Sequence, residues 1–388
     1  MRVGVEELLS HIRRRGPLLD VRSPVEFSEG TLPGARNIPL LTDSERAEVG
    51  TTYKKCGREA AIALGHRLVS GATKAERLSL WMDFIRNNPE TIVFCFRGGL
   101  RSQTVQLWLA EAGMRSPILS GGYKAARRRL MEVIDQFSAI RNFLVISGPT
   151  GSGKTHFLKK VADFLPVLDL EHIAHHRGSA FGAQEGPQPS QADFENQLAA
   201  SILQLPSVTQ RIPLVVEDES RMVGARVIPE AFFHRLRASP ILWIDEPLEV
   251  RVENIFLDYI LSTPIGREFS ENGLRVFTRY RRALDAIQRK LGGLRYSEIA
   301  GDMERSKKDY LSGEIESNKV WIRKLLEWYY DPLYLKSLER RQPEVLFRGP
   351  RHEALQWLRD QLQKDSFAAQ SLETGRLAPC LREMKEIS

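Results

Sequence analysis

Apolar positions in the first 140 residues alternate between short continuous runs and longer stretches with helical spacing. The short runs predict strands at 17–21, 34–40 (a turn leading into a strand), 91–94 and 118–119. In the stretches between them, apolar side chains recur every three or four residues, as on one face of a helix. These stretches predict helices at 60–69, 74–87, 102–112 and 125–137. Such alternation indicates an α/β domain whose parallel sheet lies between helices.

A second alternation begins near residue 143 and continues through most of the chain. It predicts strands at 143–146, 167–170, 214–216, 241–244 and 345–347. A helix is predicted from Lys154 to about residue 164, and the chain from 249 to about 330 has mostly helical spacing. The pattern therefore predicts a second α/β domain with a helical C-terminal extension. We divide the chain into 1–137, 138–350 and 351–388, the last being a C-terminal helix and tail.

The composition is that of a globular protein rather than of a membrane or disulfide-rich protein. The 388 residues are 42% hydrophobic and 27% charged, and no apolar run approaches the roughly 18 residues of a membrane span. Residues 1–15 carry scattered charges and do not resemble a signal peptide. Cys56, Cys95 and Cys380 are far apart, which fits neither a disulfide framework nor a zinc site. We therefore expect a cytoplasmic protein without a membrane partner.

The excess of positive charge permits a polyanionic partner. The formal net charge is +7 at pH 7, and basic residues cluster at 127–129 and 281–282. Each cluster fits the phosphates of a nucleic acid or, equally well, a solvated helix face. The candidate nucleic-acid contacts are Arg127, Arg128, Arg129, Arg281 and Arg282.

A cysteine stands where a predicted strand meets a predicted helix. The segment reads CFRGGLR from Cys95 to Arg101 and directly follows the strand at 91–94. Turn N–H groups and a helix N-terminus lower the pKa of a thiol in such a position and favour the reactive thiolate. Cys95 is therefore the predicted nucleophile, although an inert buried cysteine is the competing interpretation. The predicted cradle for a tetrahedral anion consists of Arg97, Gly98, Gly99 and Arg101.

The spacing Cys-x5-Arg occurs in rhodaneses and in tyrosine phosphatases, and the upstream residues distinguish the two. The segments DVRSPVEF from Asp20 and GTLPGARNIP from Gly30 resemble the first signature of the rhodanese family. That resemblance implies a persulfide or perselenide carried on Cys95. One position departs from the family pattern, since Thr31 stands where a histidine is frequent.

A phosphate-binding motif follows the strand at 143–146. It reads GPTGSGKT, fits the Walker A pattern in full and precedes a predicted helix. Its glycines let the backbone wrap around phosphates, Lys154 neutralises charge, and Thr155 would bind magnesium together with a nucleotide. The predicted diphosphate-binding residues are Gly148, Gly151, Ser152, Gly153, Lys154 and Thr155. A nucleotide and a simpler diphosphate both satisfy such a loop, so the motif leaves its ligand open.

Two of the predicted strands end in carboxylates that would face the phosphate loop. The first set, with its adjoining arginine, is Glu217, Asp218, Glu219 and Arg221, and the second is Asp245 and Glu246. We favour the first set because polar side chains continue beyond it, where a ligand would lie. A solvated strand end is the competing interpretation for either set.

A further polar segment follows the strand at 167–170. Arg177, Gly178 and Ser179 predict a flexible substrate loop beside the phosphate site. His172 and His176 have the i, i+4 spacing of metal ligands on a helix, but no third ligand is evident. We therefore predict no metal site for this segment or for the chain.

Several further strings, taken in order, resemble the tRNA 2-selenouridine synthase family, in which a rhodanese domain precedes a P-loop domain. They are AEVGT from Ala47, ALGH from Ala63, GGYKA from Gly121, HHRGSAFG from His175, EDESRM from Glu217 and YYDPLY from Tyr329. With the thiol and phosphate loops, the resemblance spans roughly residues 15–350. It implies a rhodanese-like domain with a parallel sheet, followed by a P-loop NTPase-like α/β domain.

The resemblance also implies a transferase that modifies the wobble uridine of tRNA in two steps. A 2-thiouridine is first S-geranylated from geranyl diphosphate, and the geranylthio group is then replaced by selenium from selenophosphate. We expect geranyl diphosphate at the phosphate loop and selenophosphate at Cys95. The implied partners are tRNA, contacted by the arginine clusters, and an enzyme that produces selenophosphate. No tightly bound cofactor is implied, and Mg²⁺ is a candidate ion at the diphosphate.

Other functions fit the same motifs. An ATP-dependent tRNA sulfur transferase would use the phosphate loop for ATP and carry a persulfide on Cys95. A docking module would need neither Cys95 nor Lys154, and a small-molecule kinase would not need the basic clusters. The sequence assigns no role to Cys56, Cys380 or the C-terminal tail. It also identifies no general base, no oligomeric state and no particular tRNA.

Overall fold

The computed structural model describes residues 1–184, 186–206, 212–267 and 270–372, with the backbone alone for 365–372. Cys380 and the predicted tail beyond residue 372 lie outside the described residues. Among the helices of the described part, none is both long enough and apolar enough to cross a membrane.

The N-terminal sheet contains five parallel strands in the order β1-β5-β4-β2-β3. The strands are β1 (Arg2–Val3), β2 (Leu18–Asp20), β3 (Ala35–Asn37), β4 (Ile92–Phe94) and β5 (Ile118–Leu119). The predicted parallel sheet is confirmed. The two-residue β1 was not predicted, because so short a strand has no alternation from which to recognise it.

Six helices surround this sheet. They are α1 (Val5–Arg13), α2 (Pro24–Ser28), α3 (Asp43–Leu68), α4 (Gly71–Asn87), α5 (Leu100–Glu111) and α6 (Gly122–Ile140). Helix α3 begins well before the predicted start at residue 60, at a capping box formed by Thr42 and Glu45. Its first half buries no side chain, so no apolar period marks it. The two halves meet at Gly57, whose positive φ of 84° interrupts the helix.

The second sheet also contains five parallel strands, in the order β12-β11-β6-β8-β7. In chain order the strands of this domain are β6 (Phe143–Ser147), β7 (Val167–Leu168), β8 (Leu214–Glu217), β9 (Met222–Val223), β10 (Arg226–Val227), β11 (Ile241–Ile244) and β12 (Val345–Gly349). Strands β9 and β10 form a separate antiparallel pair. Strand β7 is shorter than predicted because Asp169 caps the following helix, accepting a hydrogen bond from His172 N.

Helices cover this sheet and continue beyond it. They are α7 (Lys154–Val161), α8 (Leu170–Ala174), α9 (Gln191–Gln204), α10 (Glu230–Ala238), α11 (Leu248–Phe256), α12 (Pro264–Arg267), α13 (Glu271–Leu291), α14 (Gly293–Leu311), α15 (Asn318–Leu325), α16 (Asp331–Arg341) and α17 (Arg351–Leu372). Two π-helical segments, at Leu257–Leu261 and Leu326–Tyr330, continue α11 and α15. The predicted helical extension is thereby confirmed.

One hydrophobic core contains side chains from both sheets. Phe94 of β4, Ile134 of α6, Val145 of β6 and Leu198 of α9 are buried in one cluster. Burial of each such side chain stabilises the fold by about 1.5–3 kcal/mol. Helix α6 passes from one sheet to the other without interruption, so the boundary predicted at residue 137 falls inside a helix.

Polar contacts between the domains converge on α9. The fully buried Asn196 donates a hydrogen bond to the carbonyl of Thr31 over 2.7 Å. Asp193 accepts one from the backbone N–H of Thr31, also over 2.7 Å. Arg127 of α6 donates to Asn196 Oδ1 over 2.9 Å and forms an ion pair with Glu195. Arg127 is thus engaged at the domain interface, which removes it from the free basic surface.

A second hydrophobic core holds the helical extension together. Phe256, Tyr280, Leu284 and Trp321 are all buried there, at most 2% exposed. Phe181, which follows the predicted substrate loop, inserts into the same core. The extension is therefore packed against the predicted substrate loop.

Candidate active sites

The thiol loop lies at the carboxyl end of β4, as predicted. Cys95 is buried, with 3% of its surface exposed. Its Sγ lies 3.3 Å from the hydroxyl of Ser102 in the first turn of α5. The sulfur therefore lies beside a hydroxyl and the N-terminal turn of α5.

Two glycines, one in each turn, allow the thiol loop to approach the turn before α6. Gly98 and Gly122 have positive φ angles of 65° and 58°. A Cβ on Gly122 would lie 2.3 Å from the carbonyl oxygen of Cys95, and one on Gly98 would lie 2.5 Å from that of Leu119. Any side chain at either position would push the loops apart, which explains the GGYKA string.

The two arginines of the thiol loop have different surroundings. Arg97 is exposed, with its guanidinium 5.9 Å from the ring of Phe96. Arg101 forms hydrogen bonds of 2.5 and 3.1 Å with Glu26 of α2. Although burial opposes it, this ion pair lowers the pKa of Glu26. The charge of Arg101 is thus balanced within the protein, and Arg97 is the more accessible cation.

Thr31, the departure from the rhodanese pattern, belongs to a buried polar network. Its hydroxyl donates to Asp20 Oδ2 over 2.9 Å. Asp20 in turn forms a buried ion pair with Arg22 over 2.6 Å. The same threonine contacts α9 through its backbone, so this position connects the thiol domain to the second domain.

The phosphate loop has the backbone conformation that its motif predicts. Gly148, Gly151 and Gly153 all have positive φ angles, of 150°, 83° and 76°. Helix α7 begins at Lys154, whose Nζ donates to the carbonyl of Gly148 over 3.0 Å and lies 3.8 Å from Glu217. The loop, the N-terminus of α7 and the cation of Lys154 together form a site that favours bound phosphates.

The helical extension holds the phosphate loop from outside. Arg251 of α11 donates to the carbonyl of Thr150 over 2.9 Å and forms an ion pair with Asp331 of α16. Asn254 donates to the carbonyl of Gly151 over 2.8 Å. Both bonds use carbonyl groups of the loop rather than its N–H groups.

Three carboxylates lie beside the phosphate loop. Oxygen atoms of Glu171, Glu217 and Glu219 all lie within 4.8 Å of one another, and Thr155 Oγ1 lies 3.4 Å from both Glu171 and Glu217. Burial, and then the neighbouring Glu217, raise the pKa of Glu171 to about 8. Burial also raises the pKa of Glu217 and Glu219. This donor set suits a hard divalent cation such as Mg²⁺.

The carboxylates from the other candidate strand are directed elsewhere. Asp245 pairs with Arg348 and Glu246 pairs with Arg351, both within the C-terminal segment. Strand β8, which carries Glu217, lies directly beside β6 and its phosphate loop. The geometry therefore favours the first acidic set.

Asp218 and Tyr334 form a polar network behind the loop. Asp218 accepts hydrogen bonds from Ser147 over 2.6 Å and from Arg341 over 2.8 Å. Tyr334 Oη accepts a hydrogen bond of 2.7 Å from the backbone N–H of Gly148. Tyr334 was not predicted as a site residue, although it belongs to the YYDPLY string.

The predicted substrate loop also faces the phosphate site. Gly178 has a positive φ of 43°, and a Cβ there would lie 2.8 Å from both Glu171 and Glu219. Ser179 forms a 3.0 Å hydrogen bond with the hydroxyl of Tyr259, and the Arg177 guanidinium lies 5.0 Å from that ring. Arg221, by contrast, is exposed above Phe233 and does not line the phosphate cavity.

His172 and His176, whose spacing is that of metal ligands on a helix, do not belong to the cluster of three glutamates. The three glutamates are the one metal-capable cluster among the described residues. Burial lowers the pKa of His176, which keeps that ring neutral. Of these glutamates, Glu171 was missed by sequence reasoning because β7 and α8 bring it to the loop only in the folded chain.

The remaining basic candidates differ in accessibility. Arg128 is exposed, and its nearest carboxylate among the described residues is Glu132 at 3.9 Å. Arg129 pairs with Glu6 over 2.6 Å. Arg281 donates to Asp285 over 3.0 Å, whereas its neighbour Arg282 is exposed.

We expect the carboxylate cluster to lower the free energy of unfolding of the ligand-free protein as the pH rises. Because burial raises the pKa of these carboxyls above 4.5, the folded state holds protons that the unfolded state has released. The stability that these protonated carboxyls contribute is fully present below pH 4.5 and is lost as the pH rises towards 8. We expect Glu219→Gln to raise the melting temperature by about 3 °C or more at pH 8.5 and little at pH 5. Thermal denaturation of both proteins, with the exposed Glu59→Gln as control, measures this. Equal shifts at both pH values would contradict it.

Comparison with protein-family models places two known domains on the chain. Residues 4–128 match the rhodanese-like domain, and residues 141–365 match the tRNA 2-selenouridine synthase AAA domain. The predicted order of a rhodanese-like domain and a P-loop domain is confirmed. Most of α6 lies between the two matched regions.

Whole-length relatives agree with the domain matches. The chain is 52% identical over 364 residues to a tRNA 2-selenouridine synthase of Bdellovibrio bacteriovorus, covering 90% of this chain and 96% of that protein. It is 49% identical over 376 residues to that of Nitrosomonas europaea, covering 92% and 98%. It is 41% identical to that of Shewanella oneidensis, covering 92% and 95%. The chain therefore belongs to the tRNA 2-selenouridine synthase family.

Proposed function

We propose that this protein converts 2-thiouridine at the tRNA wobble position into 2-selenouridine through an S-geranylated intermediate. The observation that carries the proposal is the presence of both loops, each with its reactive residues in place, in a chain of this family. Cys95 sits at a helix N-terminus, and Lys154 sits in a phosphate loop beside a carboxylate cluster.

The first step is assigned to the phosphate loop. The sulfur of 2-thiouridine attacks C1 of geranyl diphosphate, the C–O bond breaks, diphosphate leaves and N3 releases a proton. Lys154 and the loop N–H groups from Gly151 to Thr155 would hold the diphosphate. These groups stabilise the negative charge that grows on the leaving group as the bond breaks. Arg177 lines the same cavity and adds positive charge there.

A divalent cation fits this site. Thr155, Glu171, Glu217 and Glu219 would hold Mg²⁺, since their oxygens lie close together beside the loop. When bound, such an ion neutralises diphosphate charge. Because their pKa values are raised, the glutamates must release protons to accept the cation, so its binding should strengthen as the pH rises towards 8.

The second step is assigned to the thiol loop. Its overall balance requires no oxidant: S-geranyl-2-thiouridine, selenophosphate and water give 2-selenouridine, geranylthiol and phosphate. Cys95 would receive selenophosphate, with Arg97 and the N–H groups of the loop binding the phosphate oxygens. Geranylation assists this step because it converts the thiocarbonyl sulfur into a leaving group.

The tRNA would contact the exposed basic positions. Arg128 and Arg282 remain candidates because they are exposed, whereas Arg127 serves the domain interface. Arg129 and Arg281 each have an acidic partner at the surface, from which phosphate can displace them at modest cost. A selenophosphate-producing enzyme is the second expected partner.

Nucleoside mass spectrometry tests the proposal. Purified protein is incubated with 2-thiouridine-containing tRNA and geranyl diphosphate, and then with selenophosphate, without ATP. We expect a geranylthio nucleoside that converts to selenouridine. A modified base formed only with ATP would instead support an ATP-dependent sulfur transferase. Absence of product with and without ATP would overturn the proposal.

A further inference from the structure

The phosphate cavity extends beyond the phosphate loop. Its volume is about 580 Å³, within the range of roughly 300–1,000 Å³ for small-molecule sites. The phosphate loop and the carboxylate cluster form one part of its lining, and other lining residues come from α13 and α16. The cavity therefore reaches from the loop to two helices of the C-terminal extension.

The proposed first step requires the acceptor base to enter the same cavity as the donor. In that step the sulfur of 2-thiouridine bonds directly to C1 of geranyl diphosphate, the carbon that carries the diphosphate. Reacting atoms must approach to about 3–3.5 Å before such a bond forms. A diphosphate at Lys154 therefore places the acceptor nucleotide within the phosphate cavity rather than at a distant surface. The lining residues beyond the loop are the ones available to bind it.

One face of α16, continued by the π-helical turn before it, lines this part of the cavity. Tyr330, Leu333, Tyr334 and Ser337 have the spacing of neighbours on one helix face. Leu333 is 44% exposed, and Ser337 is exposed and forms no hydrogen bond within the described part of the chain. Proteins hold single-stranded bases by contact with the ring face and by hydrogen bonds to the ring edge. An apolar side chain and a hydroxyl on one helix face can supply both to a pyrimidine.

A stripe of exposed arginines on α13 ends at the mouth of the same cavity. Arg275, Arg282 and Arg289 are exposed and lie seven residues apart, so they share one face of the helix. Lys290 follows at the end of the helix, is exposed and lines the cavity. None of these four cations forms an ion pair with a described residue. Since a helix rises about 1.5 Å per residue, the α13 stripe extends about 20 Å from the mouth.

The α13 stripe fits the backbone of a single-stranded nucleic acid. The opposite face of α13 is buried in the second core through Phe277, Tyr280 and Leu284, which fixes the stripe in position. A polyanion that neutralises such cations releases its own counterions and gains affinity. A loop of RNA presents a run of phosphates together with unstacked bases. The stripe thus matches the phosphates of a loop, and the cavity matches one of its bases.

We propose that the anticodon loop of the tRNA follows the α13 stripe and inserts its wobble nucleotide into the phosphate cavity. This inference rests on the proposed function and adds the binding site for the acceptor. Lys290 contacts a phosphate of the inserted nucleotide at the mouth, and Leu333 and Ser337 hold its base against the donor. All three are positioning residues, because the sulfur of the base is itself the nucleophile.

The salt dependence of tRNA binding tests the stripe without any prenyl donor. Each phosphate contact to a single strand contributes about 0.7 to the slope of log K against log salt concentration, so Arg282→Ala/Arg289→Ala should lower that slope by about 1.4. Lys307→Ala/Lys308→Ala removes the same charge from α14, outside the stripe. This control should keep the wild-type slope. Equal changes of slope in the two variants would overturn the role of the stripe.

Two leucines of α16 form a matched pair for the base site. Leu333 lines the cavity, whereas Leu335 is 51% exposed on the same helix and does not line it. We expect Leu333→Ala to raise KM for tRNA in geranyl transfer by about fivefold or more, as for removal of one base contact. Its affinity for inorganic pyrophosphate should stay at the wild-type value. Leu335→Ala should change neither quantity, and equal effects of the two substitutions would overturn the base site.

Photocrosslinking locates the base in the wild-type protein. The probe is an anticodon stem–loop RNA with 4-thiouridine at the wobble position, mixed with the protein and pyrophosphate. We expect adducts within residues 329–337, and adducts confined to the thiol loop would overturn the acceptor site alone. A wild-type protein that forms the expected adducts but transfers no geranyl group would overturn the proposed donor and leave the acceptor site standing.

Discussion

Replacement of Cys95 by serine is expected to abolish selenouridine formation and to leave geranylation intact. Cys95 is buried in the thiol loop and is the proposed nucleophile, and a serine hydroxyl retains its size but not its acidity. We expect the second step to slow by on the order of 1000-fold or more, as for removal of an essential nucleophile. The measurement is the rate of selenouridine formation from tRNA that already carries the geranylthio group.

Cys56→Ser is the matched control, since Cys56 is a free and exposed cysteine in the same domain. It should leave both steps at wild-type rates. Accumulation of geranylthio-tRNA with Cys95→Ser would also show that the two steps use separate sites. Selenouridine formation at the normal rate by Cys95→Ser would disprove the role of this thiol.

Replacement of Lys154 by alanine is expected to suppress the first step. Lys154 is positioned at the start of α7, between the phosphate loop and Glu217. A charge-assisted hydrogen bond contributes about 1.5–3 kcal/mol, so kcat/KM for geranylation should fall about 10- to 150-fold. Loss of the cation also leaves Glu217 without its nearest positive charge, which further disfavours an anionic donor.

Lys160→Ala is the control on the same helix, because Lys160 is exposed and lies outside the phosphate cavity. With pre-geranylated tRNA, Lys154→Ala should form selenouridine at the wild-type rate. An unchanged geranylation rate in Lys154→Ala would place the diphosphate elsewhere. A loss of both steps would indicate that the two loops act as one site.

The strongest sequence patterns correspond to the strands and loops of the structure. Strands β4 and β6 are continuous apolar runs because both faces of a parallel sheet are covered by helices. The thiol and phosphate loops follow them directly. Each is a local feature, set by glycines and by the helix that follows, and was therefore readable from neighbouring residues.

Helix α9 has a local sequence pattern from which it could have been predicted. Ser190 caps it and its buried positions include Phe194, Leu198 and Ile202, which have helical spacing. No helix was predicted from the sequence at Gln191–Gln204. Its packing partner could not be predicted from neighbouring residues, because Asn196 and Asp193 form hydrogen bonds with Thr31, more than 160 residues away.

The two α/β domains, the positions of both loops and the family could be predicted from the sequence, because these depend on short-range order along the chain. Which charges are free became visible only in the folded chain. The tertiary structure placed Glu171 with Glu217 beside Thr155, and it paired Arg127 at the domain interface. Such features arise from long-range packing, which no local periodicity encodes.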